Sequence, residues 1–169
     1  MASRYQELQM LAKDYGDEAR KFYPHVRTLG KAIIQAYIEY IDGPIGSVTG
    51  IPPEGSYDHD GPYEDAIFSF YGAKFVNLTS VSMGICTQLN DVSGSGFTSV
   101  RTVLEFRPDG DDVQVLVGLD TPLITLTPND ASDLSKICHA IFNDVRSAFA
   151  LDVRQAQGTN RIGYWPDSS

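Results

Sequence analysis

The densest chemistry in this chain lies between Glu54 and Asp65. The run Glu54-Gly55-Ser56-Tyr57-Asp58-His59-Asp60-Gly61-Pro62-Tyr63-Glu64-Asp65 sets five carboxylates and a histidine in twelve positions. Clustered carboxylate oxygens suit a hard cation, and Asp58-x-Asp60-Gly61 is half of a calcium loop. The third ligand two residues on is missing, and so is the closing glutamate. A metal-dependent enzyme using Asp58, His59, Asp60 and Glu64 is therefore an alternative and not the preferred reading. The preferred reading is a protein-binding loop. Tyr57 and Tyr63 offer flat contact area, while Glu54, Asp58, Asp60, Glu64 and Asp65 steer a basic partner. A solvated, turn-rich loop is the simplest alternative.

Two further segments extend that candidate surface. Asp109, Asp111 and Asp112 mark an acidic turn, which matters only if it lies near the first loop in space. Trp165, beside Tyr164, either anchors a partner or second subunit, or folds back over an edge of its own domain. Other motifs fall short of chemistry. The three histidines, His25, His59 and His139, supply no zinc triad. Cys138 and His139 are adjacent on a predicted helix, where successive residues point about 100° apart, so they form no dyad. Ser93-Gly94-Ser95-Gly96 lacks the lysine and the following helix of a phosphate loop. No Gly-x-Ser-x-Gly elbow is present. The reading is thus non-catalytic, with no cofactor and no metal.

Charge supports a binding role. Residues 43–130 hold twelve acids against Lys74, Arg101 and Arg107, while both flanks are balanced, so the whole net charge of −9 sits in the middle. Such a field repels nucleic acid and anionic membrane and attracts a basic protein surface. The start, Met1 to Glu7, has no apolar core of a secretory signal. Two distant cysteines, Cys86 and Cys138, read as reduced thiols, so a cytoplasmic location is expected.

The elements that must position these residues follow from periodicity. Tyr5, Leu8, Leu11, Ala12 and Tyr15 recur at helical spacing, with Ser3 as cap; Gly16 or Pro24 is expected to interrupt the helix. Val26, Leu29, Ile33, Tyr37, Tyr40 and Ile41 predict a second helix, ended by Asp42-Gly43-Pro44. Strands are predicted at Ser47–Ile51, Ala66–Tyr71 and Phe75–Leu89, the last with a bulge near Asn77–Thr79. Alternating residues on both sides of Pro108-Asp109-Gly110 predict a hairpin, and Thr121–Leu126 a further extended segment. Thr127 caps a last helix, with Pro128 at its first position and Leu134, Ile137, Cys138, Ile141, Phe142, Val145 and Phe149 as its buried stripe. The fold class is α+β: an antiparallel meander of four to six strands, two N-terminal helices and one C-terminal amphipathic helix. Residues 1–155 read as one domain and 156–169 as a tail.

In size, acidity and α+β outline the chain resembles secretion chaperones, although those place a helix between strand groups and none is predicted here between Ala66 and Leu126. In charge and size it also resembles small acidic inhibitors made by phages and plasmids. Both likenesses are of class alone and rest on no motif. They imply an inhibitor, adaptor or chaperone. A structural subunit, with helices or tail forming a homo-oligomer, is the remaining class.

Overall fold

The computed structural model describes residues 1–74, 77–94, 96–118, 124–126, 131–150 and 162–166. Helix α1 (Arg4–Tyr40) leads into β1 (Val48–Ile51), a 3-10 turn (Glu64–Ile67), β2 (Val81–Asn90), β3 (Gly96–Asp109), β4 (Asp112–Val117), β5 (Ile124–Leu126), α2 (Ala131–Ala150) and β6 (Ile162–Pro166). The class is α+β with one antiparallel sheet, ordered β1-β2-β3-β4-β5. No helix among the described residues is long and apolar enough to cross a membrane.

One helix of 37 residues replaces the two expected at the N-terminus. Ser3 caps it as predicted, its hydroxyl accepting from the Gln6 amide while the Gln6 side chain accepts from the Ser3 amide. Pro24 lies inside the helix on its exposed side. A proline there costs about 3 kcal/mol, but Ala19 and Phe22 before it and Val26 and Ile33 after it are buried on one stripe. That burial outweighs the lost backbone bond and holds the helix through the interruption. The helix ends where predicted, with Asp42 in the left-handed region at φ 50.

The second correction concerns 66–71 and 77–80. Ala66–Tyr71 forms no strand, and the bulge expected at Asn77–Thr79 is absent because β2 starts at Val81; Phe75 and Val76 lie outside the described residues. Glu64, at φ 50, opens a 3-10 turn. Phe68 is extended, but its pairing stops at one bridge to Met83 and one Ser69 N–H bond to the Ser82 carbonyl. The predicted alternation still does its work, since Phe68 and Phe70 stack with centroids 5.1 Å apart.

β3 is the centre of the sheet. Its even positions, Val100, Thr102, Leu104 and Phe106, are fully buried against the helices, with Thr102 donating to Asp144 of α2 at 2.7 Å. Its odd positions, Ser99, Arg101, Glu105 and Arg107, take the opposite face. One edge of β3 pairs with β2 over Phe97–Phe106, while β4 takes Leu104–Asp109 of the other edge and β6 takes Gly96–Val100. Of the α2 stripe, Ile137, Cys138, Ile141 and Val145 are buried, but Phe142 and Phe149 are exposed, a third correction. Phe142 meets the last residue of α1, Tyr40, edge to face with centroids 6.2 Å apart. The Thr127–Asp130 cap and the boundary at 155 lie outside the described residues.

Candidate functional site

The acidic loop is built on the odd face of β3. After Ile51 the chain crosses Gly84 of β2, where a Cβ would stand 2.5 Å from the carbonyl oxygens of Ile51 and Pro52. Only glycine admits that crossing. Arg101, 6% exposed, then donates to the Gly55 carbonyl at 2.6 Å, and its guanidinium carbon lies 5.1 Å from the centre of the Tyr57 ring. The Tyr57 hydroxyl shares a 2.8 Å hydrogen bond with Ser99. Beneath them lies Cys86, buried, beside Ser99, Thr49 and Tyr57. Burial pushes both the Tyr57 hydroxyl and the Cys86 thiol above their ordinary pKa values.

The outer half of the loop folds on itself. The Asp58 amide donates to the Tyr63 hydroxyl at 2.7 Å, and the Asp60 amide donates to the Asp58 carboxylate at 3.0 Å. His59 lies between two carboxylates, Nδ1 3.6 Å from Asp58 and Nε2 3.0 Å from Asp60. Its ring packs on Phe97 of β3 with centroids 4.5 Å apart. Asp65 is engaged by Arg27 of α1 at 3.1 Å. Glu54, Asp58, Asp60 and Glu64 face solvent.

One ligand atom each from Asp58, His59 and Asp60 falls within 4.8 Å of the others. Glu64 is not part of that group. The three are consecutive, and the two imidazole nitrogens turn toward different carboxylates, an arrangement that orients the ring more than it converges on one ion.

The structure separates the two acidic segments. Asp109, Asp111 and Asp112 lie at the far end of β3, ten residues or about 33 Å of strand from Ser99. Asp111 and Asp112 line a cavity of about 560 Å³ with Glu18, Lys21 and His25 of α1, so bases stand opposite this tip. Trp165 belongs to β6 at the register position opposite Phe97, the residue that carries His59. Sequence reasoning missed Phe97, Ser99 and Arg101 as supports. The signal was present in Arg101, one of only three bases among residues 43–130 and out of phase with the buried set of its strand. No family model, curated protein or solved structure matches this chain.

Proposed function

We propose that the chain is a non-catalytic protein-binding domain of inhibitor, adaptor or chaperone type, with the Glu54–Asp65 loop as the surface that meets a basic partner. The supporting observation is the bracing of that loop by Arg101, Ser99 and Phe97, which presents Glu54, Asp58, Asp60 and Glu64 outward. A loop fixed beforehand loses less conformational freedom on binding, and its carboxylates speed encounter with a basic surface. In this reading the protein works in the cytoplasm, where Cys86 and Cys138 remain thiols, and contacts neither nucleic acid nor membrane directly.

The test is capture of the partner from host lysate by wild type and by variants. Neutralising Asp58 or Asp60 singly to Asn should cost about 0–1 kcal/mol of affinity, as exposed ion pairs do. Neutralising Glu54, Asp58, Asp60, Glu64 and Asp65 together should remove the partner while the melting curve stays close to wild type. Loss from Asp58→Asn alone would favour the metal reading, because each ligand of an ion is individually required.

A second reading, a structural subunit, is favoured by the start of α1. Tyr5, Leu8, Leu11 and Tyr15 are exposed on the helix whose later stripe is buried. Light scattering that reports a monomer at high micromolar concentration would remove this reading.

A further inference from the structure

Where α1 ends, a cleft of about 550 Å³ opens between that terminus, the end of β2 and α2. Leu89, Phe142 and Phe149 line it and are 40%, 39% and 48% exposed, so large apolar side chains stand around one concavity. Among the lining residues, Ser47 and Thr87 are 7% and 1% exposed, and their hydroxyl oxygens are buried with no hydrogen-bond partner. Thr87 Oγ1 stands close to the Tyr37 hydroxyl without completing a bond by geometry. Both oxygens are closed off from solvent, so the wall they stand in is apolar toward the cleft.

Two charged residues line the same cleft, Arg146 and Asp42. The Arg146 guanidinium carbon lies 5.9 Å from the centre of the Phe142 ring, and among the described residues it has no carboxylate within ion-pair distance. An arginine held over an aromatic face, beside apolar walls, suits a planar carboxylate joined to an apolar body. Asp42 disfavours a second negative charge. Volume, apolar lining and a few polar groups together fit the usual form of a small-molecule site.

We propose that this cleft binds a small monoanionic amphiphile, a carboxylic acid with an aliphatic or aryl body. The body displaces water from Leu89, Phe142, Val145 and Phe149. The carboxylate answers Arg146, which is exposed at the rim. The site is independent of the acidic loop.

The test is calorimetric titration of the full chain with decanoate, decanol and decylamine at neutral pH. Decanoate should bind saturably, one to one, and about tenfold or more tighter than decanol or decylamine. Arg146→Gln should weaken decanoate about tenfold while leaving decanol unchanged. Leu89→Trp, at an exposed position on another element, should fill the cleft and abolish binding of both. The proposal is overturned if decanoate shows no saturable binding up to about 1 mM. It is equally overturned if decanol or decylamine binds as tightly as decanoate, or if either variant leaves decanoate binding unchanged.

Discussion

The acidic loop at Glu54–Asp65 and the acidic hairpin tip at Asp109–Asp112 occupy opposite ends of β3. Behind the loop stand Arg101, Tyr57 and Ser99, bonded to one another or to the loop backbone, with His59 seated on Phe97. The tip is a two-residue turn, Gly110-Asp111, with a single Gln114 amide reaching Asp109 at 3.2 Å. Like charge in sequence thus has two physical meanings. At the tip, acidic residues flank a turn beside a cavity shared with Glu18, Lys21 and His25; at the loop, buried side chains brace the segment that carries the acids.

That difference is breakable. Arg101→Met should have the largest effect, about 2–3 kcal/mol lost in thermal or denaturant unfolding, because a buried charged donor leaves the Gly55 carbonyl without its hydrogen bond. The same variant should expose Cys86. In wild type both thiols are buried, and burial pushes Cys138 up to about 11, so a thiol reagent should label neither at neutral pH. In the variant Cys86 should label ahead of Cys138; simultaneous labelling would mean that the loop does not open by itself.

Gly110→Ala should come next. Its φ of 60 belongs to the left-handed region, so the substitution should cost about 1–2 kcal/mol, read as a lowered Tm with the loop and Cys86 protection unaffected. Tyr57→Phe, which removes only the hydrogen bond to Ser99, should cost about 1 kcal/mol. Neutralising Asp109, Asp111 and Asp112 together should change stability by less than about 0.5 kcal/mol, as surface changes usually do.

Glu105, between the two regions, gives the smallest signal. Its carboxylate accepts from Arg107 at 2.8 Å, which holds its pKa below the ordinary 4.5. A depressed carboxylate adds stability above the unfolded value, and that part disappears as pH falls through the folded one. Glu105→Gln should therefore lower Tm slightly at neutral pH and converge with wild type below about pH 4.5, which flattens the acid fall.

Most of the fold was legible where one period ran without competition. The hairpin at β3–β4, the Ser3 cap and the Asp42 stop follow from local chemistry. The N-terminal helix was not, because Pro24 is a local signal overruled by the burial of Phe22 and Val26 on a sheet far away in sequence. Ala66–Tyr71 carried a strand's alternation, yet pairing needs a partner edge, and the Glu64 turn leaves Phe68 alone bridged to β2. The loop's acids were visible as composition; their support was not, since Arg101 and Phe97 meet them only through β3. The cleft at the end of α1 was legible least of all. Phe142 and Phe149 match a buried stripe, yet they stand 39% and 48% exposed beside the end of α1.

The shared edge of β3 has a consequence for assembly order. β4 reaches that edge across a two-residue turn, a closure that takes about 1–10 μs in isolated hairpins. β6 reaches it only after the 61 residues between Val100 and Ile162 have been made, roughly 3–12 s of translation. Through that interval the Gly96–Val100 stretch keeps a row of backbone donors and acceptors open, the kind of edge that pairs with any strand within reach. The half of β3 that carries the acidic loop is therefore zipped from outside last, and a nascent chain is most exposed to wrong partners at the strand on which its candidate surface is built.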